Sequence, residues 1–248
     1  RRERAVKVAL ISDLHGNLLA LEAVLADAAR AGVDRIVCLG DVATLGPCPR
    51  QVLARVRALG CACIVGNHDA FLLDAALIHS YTETPIVVDA VDWCRAQLAA
   101  DELDFVRTFV PELVVELDGG ATLCCYHGTP RSHMEELWPW ASPTELERQL
   151  DGRVATVLAG GHTHLQMLRQ HRGALVVNPG SVGMPFVEAA AAGPPTIMAH
   201  AEYAIVEARA DGAVAVRLAR VPLSKRALAE QAAACDFPLR DWLVAQYA

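Results

Sequence analysis

The chain has 248 residues, is 53% hydrophobic and carries a formal net charge of -7. That is enough apolar material for one large α/β domain with a substantial core, and it lacks the basic footprint of a duplex-binding protein. Its apolar stretches are too short, or too interrupted by charge, to span a bilayer. The eight cysteines form no Cys-x-x-Cys pair and several sit inside apolar runs, so buried thiols are expected rather than a disulfide or zinc framework. Arg1, Arg2 and Arg4 run directly into a strand pattern with no signal-peptide character, and the expected location is the cytoplasm.

In chain order, Val6 to Ile11 reads as a strand buried on both faces, and Leu18 to Ala31 as a helix with Leu21, Leu25 and Ala28 on one side. Gly32 stops that helix. Ile36 to Leu39 is a second apolar run, Pro49 opens a helix that Gly60 closes, and Cys61 to Val65 is a third run. Strand and helix in alternation imply a parallel sheet with crossover helices. Residues 70–109 read as a helical excursion over that sheet. Leu113 to Leu117 and Thr122 to Tyr126 then form a hairpin around Asp118-Gly119-Gly120.

Further strands are expected at Val154 to Ala159 and Ala174 to Val177. Late runs at Thr196 to His200, Tyr203 to Ala208 and Ala213 to Leu218 suggest an antiparallel meander completing a second sheet. Glu188 to Gly193 is alanine-rich and reads as a loop or short helix, and residues 224–248 as two short amphipathic helices broken near Pro238. The expected fold class is α/β, with two sheets packed face to face between outer helices and residues 1–248 forming a single domain.

Five short motifs punctuate this pattern: Asp13-Leu14-His15, Gly40-Asp41, Gly66-Asn67-His68-Asp69, His127-Gly128 and Gly161-His162-Thr163-His164. The first three fall at the C-terminal ends of the first three strands, the edge where open α/β sheets bind ligands. Asp13 and His15, one residue apart, point to the same side and can grip one cation. Asp41 can offer its two oxygens to two ions. The neutral amide of Asn67 would keep such a centre cationic toward an anionic substrate. Two ions about 3.5–4 Å apart activate a bridging water for in-line attack at phosphorus. His68, beside Asn67 but directed elsewhere, is the candidate acid or charge stabiliser, with Asp69 fixing its tautomer.

Taken in this order, the motifs resemble the calcineurin-like metallophosphoesterase superfamily from Asp13 to His164. The resemblance implies a four-layer α/β-β/α sandwich. It also implies that Asp13, His15, Asp41 and His164 hold a first metal, and Asp41, Asn67, His127 and His162 a second. Ser12-Asp13-Leu14-His15-Gly16-Asn17, Gly40-Asp41-Val42 through Gly46-Pro47, His127-Gly128-Thr129-Pro130 and Asn178-Pro179-Gly180-Ser181-Val182-Gly183 are similar to bacterial single-domain phosphodiesterases of the YfcE type. The protein phosphatase pattern, with Asp-Arg-Gly after Gly-Asp and Arg before Gly-Asn-His, is missing: Val42-Ala43-Thr44-Leu45 and Val65-Gly66-Asn67 stand there instead.

The expected activity is therefore a two-metal phosphoesterase, a diesterase by preference, with dinucleoside polyphosphate or monoester hydrolysis as alternatives. Manganese is the first expected ion; iron, zinc, nickel or cobalt would also suit this mixed donor set. Asn17 is a candidate substrate contact as well as a helix cap, and Arg131 a candidate for the substrate phosphate. The substrate is expected to be small and phosphorylated, and nucleotide-like if Trp138-Pro139-Trp140 stacks a base.

Overall fold

A computed structural model describes residues 5–190 and 193–248. Arg1, Arg2 and Arg4, and Ala191 and Ala192 of the alanine-rich stretch, lie outside the described residues.

The N-terminal half alternates strand and helix as its hydrophobic pattern dictates. β1 is Val6–Ile11, α1 Leu18–Arg30, β2 Arg35–Cys38, α2 Pro49–Leu59 and β3 Ala62–Cys63. β1 and β2 pair in parallel, as do β2 and β3. The Asn17 side chain caps α1 by accepting the Ala20 N–H, and α2 begins at Pro49 and ends on left-handed Gly60.

The excursion contains α3 (Asn67–Leu73), a 3₁₀ turn over Ala75–Ser80, α4 (Pro85–Ala96) and α5 (Ala100–Val106). It closes a small core of its own from Phe71, Ile78 and Val91, against which Met134 of a later loop packs. The helix starts three residues before the run expected at Ala70, so Asn67, His68 and Asp69 all occupy its first turn.

β4 (Leu113–Glu116), β5 (Thr122–Cys125), α6 (Pro143–Leu150), β6 (Val157–Ala159), β7 (Met167–His171) and β8 (Ala174–Asn178) build a second sheet in the order β4-β5-β6-β8-β7. β9 (His200–Ala208) and β10 (Val214–Pro222) follow, then α7 (Lys225–Ala233) and α8 (Arg240–Gln246).

The late meander does not join this second sheet. It extends the first, whose order is β10-β9-β1-β2-β3. β1 is completely buried from Val8 to Ile11, so the backbone groups on its edge away from β2 need a ladder partner, and β9 supplies one antiparallel, from Val6 opposite Ala208 to Leu10 opposite Ala204. Residues 196–199 are no strand, and Ile197 makes only an isolated bridge to Phe186. β7 is the strand the hydrophobic pattern conceals. It is an edge strand with polar Arg169, Gln170 and His171, so His171 ends a strand and the turn itself is Arg172 and Gly173, both at positive φ.

Alternation along β1 assigns the layers. Val8 and Leu10 pack between the sheets against Val115, Leu123, Cys125, Val157, Ala159 and Val177, while Ala9 and Ile11 face α1 and α2. On the far side of the second sheet, Cys124, Leu158 and Val176 receive Leu146 and Leu150 of α6. The result is two mixed five-stranded sheets flanked by helices. All eight cysteines are free thiols.

Candidate metal centre

The parallel strands of both sheets end at one place, and the motif residues stand there. Asp13 and His15 follow β1, Asp41 follows β2, and Asn67 opens α3 just after β3. His127 follows β5, and His162 and His164 follow β6. All seven are buried. Asp13, His15 and His164 bring ligand atoms within 4.8 Å of one another, as do Asp41, His127 and His162. Asn67 joins the second group, with its Oδ1 3.1 Å from His127 Nε2.

The donors are oriented for cations. Nδ1 of His127 donates to the Leu39 carbonyl and Nδ1 of His164 to that of Met184, each at 2.7 Å. A carbonyl only accepts, so when these rings are neutral their Nε2 atoms carry lone pairs. Those lone pairs point at other acceptors: His127 Nε2 lies 3.3 Å from Asp41 Oδ2, and His164 Nε2 lies 3.3 Å from Asp13 Oδ1. His15 Nε2 is 3.0 Å from His164 Nε2. Asp13 Oδ1 and His162 Nε2 are buried without a hydrogen-bond partner. Acceptors crowded together in a dry cavity need a shared cation, and carboxylate, imidazole and amide donors suit a divalent transition ion.

The titration of the groups shows how strongly the two carboxylates demand positive charge. Burial would push the Asp13 carboxyl up, but the neighbouring His164 and His127 outweigh it and bring it to about 2. Burial would push His127 down, but Asp41 and Asp13 hold it up at about 10. Burial and the adjacent imidazoles lower His15 and His162 to about 3. One imidazolium thus supplies the positive charge that the two carboxylates demand, and other rings nearby are driven neutral.

Backbone conformation at the site is costly. Eight described non-glycine residues have positive φ, and five of them are Asp13, His15, Asp41, His162 and His164. Side chains rarely adopt this region, so its concentration at candidate ligands marks a geometry enforced for function. Close approach enforces glycine beside them: a side chain on Gly66 would strike the Asp41 carboxylate, and one on Gly161 would strike Ser12 and Asp13.

Three networks hold these loops. Asp69 takes the N–H groups of Asp41 (2.7 Å), Val42 (2.9 Å) and Gly66 (2.9 Å), tying the second ligand loop to the start of α3. That carboxylate is spent on the backbone, and His68 Nδ1 has no hydrogen-bond partner, so Asp69 does not set the His68 tautomer as expected. Asp41 Oδ1 accepts the His68 N–H at 2.9 Å, which leaves Oδ2 facing both His127 and His15. One oxygen of Asp41 therefore faces both clusters, where one oxygen toward each was expected. The Asn178 to Gly183 loop is the third network. Ser181 Oγ donates to the Asp13 carbonyl, and Asn178 Nδ2 to the Gly161 carbonyl and Thr163 Oγ1.

Two predicted substrate contacts are committed elsewhere. Asn17 Oδ1 accepts from Ala20 and Gln231, and its Nδ2 donates to the Gly183 carbonyl, so it is a cap and a brace. Arg131 pairs with Glu135 at 3.9 Å and reaches the Arg148 carbonyl at 3.5 Å, so its charge is already engaged outside the donor clusters. His68 stays at the centre, its ring edge-on to His15 at 5.2 Å. Trp138 and Trp140 stack on each other at 5.1 Å, with Trp140 65% exposed.

Some neighbours of the centre carried no sequence signal. Thr44 Oγ1 lies 3.5 Å from His15 Nδ1, Phe186 packs on His164 at 4.3 Å, and Tyr81 of the excursion stands 5.9 Å from His68. Only their place in the fold brings them here.

Comparison with known proteins agrees with this geometry. The model of the calcineurin-like phosphoesterase superfamily domain matches residues 6–208. An uncharacterised protein of Methanocaldococcus jannaschii is 28% identical over 193 residues, covering 72% of this chain and 76% of that one. A crystal structure of a metallophosphoesterase from Sphaerobacter thermophilus is 27% identical, covers 98% of each chain and superposes with a TM-score of 0.74. A hypothetical protein from Pyrococcus horikoshii OT3 shares the fold at 19% identity, with 97% and 96% coverage and a TM-score of 0.78.

Proposed function

We infer, for a chain that belongs to the calcineurin-like phosphoesterase superfamily and is a metal-dependent phosphoester hydrolase, that its reaction is phosphodiester hydrolysis at a dinuclear centre. The observation that carries this reading is the pair of buried donor clusters meeting at Asp41 Oδ2, 3.3 Å from His127 Nε2 and 3.9 Å from His15 Nε2. Asp13, His15, Asp41 and His164 would hold one ion, and Asp41, Asn67, His127 and His162 the other. When bound, such ions supply Lewis acidity and a water that ionises near neutral pH for in-line attack at phosphorus. Manganese is the proposed ion, and iron, zinc, nickel and cobalt are the others to be tried.

The protein's own residues then have separate tasks. Asp69 and the Asn178 to Gly183 loop fix the ligand loops through backbone hydrogen bonds. His68, with Nδ1 free of any hydrogen bond, is the group available to protonate the leaving oxygen or to stabilise charge on the phosphoryl group. Preference for a diester follows from charge. Among the described residues, no arginine or lysine is bonded to a candidate ligand, and a monoanionic diester needs less compensation than a dianionic monoester. The exposed Trp138 and Trp140 pair favours one second reading, a nucleotide-containing anhydride such as a dinucleoside polyphosphate.

We further propose that residues 1–248 act as a single domain, and that the protein works in the cytoplasm, a placement its eight free thiols support. No helix among the described residues is long and apolar enough to cross a membrane. The test is a panel of linear and cyclic diesters, monoesters and dinucleoside polyphosphates, assayed with protein reconstituted in each metal. Diesters should be the best substrates, and activity should vanish on chelation. Monoesters turned over faster than every diester would refute the preference.

A further inference from the structure

Two rings of the helical excursion reach the metal centre, and they differ in kind. Phe71 is fully buried and packs edge-on against His68, with centroids 5.0 Å apart. Tyr81, just past the 3₁₀ turn, stands 5.9 Å from the His68 ring and 6.2 Å from that of His162, yet 44% of it is exposed. It borders both the candidate acid and a candidate ligand while keeping an open face to solvent.

Packing alone does not account for a tyrosine there. Its contacts with His68, Phe71 and His162 are all made by the ring, and a phenylalanine would make them equally well. The hydroxyl has no hydrogen-bond partner among the described residues. The ring distances to His68 and His162 place the residue on the rim of the centre.

The rest of the rim explains the need for it. A phosphoryl group entering this centre brings non-bridging oxygens that require donors besides any metal. Arg131 is turned to Glu135 and the Arg148 carbonyl, and Asn17 is spent on α1, Gly183 and Gln231. His68 offers one donor and the buried Asn67 Nδ2 is another, and the Tyr81 hydroxyl adds a third that faces the site from the solvent side.

We propose that Tyr81 is a substrate-binding residue, its hydroxyl donating to a non-bridging phosphoryl oxygen while its ring walls the site next to His68. The excursion thereby contributes directly to recognition of a phosphodiester and of its phosphomonoester product. This rests on the phosphodiesterase reading for its substrate, but anion binding tests it separately.

The decisive variant is Tyr81→Phe in the manganese-loaded protein, because it keeps the ring contacts and removes only the donor. Inorganic phosphate, titrated calorimetrically, should bind about tenfold more weakly, as expected for one hydrogen bond to a charged group. KM for a phosphodiester should rise by a similar factor, with the melting temperature and bound metal unchanged. Tyr81→Ala should lose at least as much. Equal phosphate affinity in Tyr81→Phe and parent would overturn the proposal, as would a weakening accompanied by lost stability or lost metal. A parent protein that binds phosphate but cleaves no diester would reject the functional reading alone, and the titration would still decide the role of Tyr81.

Discussion

The two donor clusters of the metal centre are secured by different kinds of partner. Around Asp41, Asn67 and His127, the main chain does the holding. The Leu39 carbonyl fixes His127 at 2.7 Å, and the His68 N–H in the first turn of α3 fixes Asp41 at 2.9 Å. Around Asp13, His15 and His164, one hold is a side chain: His15 Nδ1 meets the Thr44 hydroxyl, and at 3.5 Å. A carbonyl fixes ring and tautomer together, whereas a hydroxyl rotates and accepts as readily as it donates. His164 is held by the Met184 carbonyl just as His127 is by that of Leu39, so the adjustable member is His15, and its cluster is expected to bind an ion the less tightly.

The largest way to break this asymmetry is to remove what the clusters share. Asp41→Asn takes the charge from the common oxygen, and hydrolysis should fall by about a thousandfold, with both ions lost by elemental analysis. Retention of both ions would show that Asp41 does not bridge. His68→Ala should cut kcat about a hundredfold while both ions stay bound, because His68 sits against His15 without belonging to either cluster. Metal loss in that variant would make His68 a ligand and redraw the comparison.

Thr44→Val tests the asymmetry directly. It should weaken one of two resolvable metal-binding steps about tenfold, read by calorimetry, and leave the other alone. Equal weakening of both steps would mean the clusters are mechanically one. The smallest effect is expected from Asn17→Ala, a loss of about 1 kcal/mol in stability from the missing cap, with KM unchanged. A raised KM at full stability would return Asn17 to the substrate.

Much of this centre was legible because strand ends are legible. Each parallel strand is a short apolar run, and a polar residue placed just past it has a single edge of the sheet to occupy, so Asp13, Asp41 and Asn67 could be located before the fold was seen. Sheet membership was less readable. Alternation in residues 200–208 says that a strand is buried, not which neighbour buries it, and only the open edge of β1 decides the matter. Hydrogen-bond commitments were hidden altogether. Asp69, Asn17 and Arg131 have side chains suited to the chemistry assigned to them, and nothing in one dimension reveals that backbone N–H groups, a helix end or Glu135 claim them first. Tyr81 has no motif around it, and its position follows from how the excursion folds back.

The left-handed backbone at Asp13, His15, Asp41, His162 and His164 sets a direction for protein engineering. Glycine would relieve roughly 1–2 kcal/mol of conformational penalty at each of these positions. A selection that rewards heat resistance alone would therefore favour deleting the ligands, and variants that survive it could be sturdier than the parent and catalytically empty. Any stabilisation campaign on this scaffold has to keep hydrolysis in the screen from the first round.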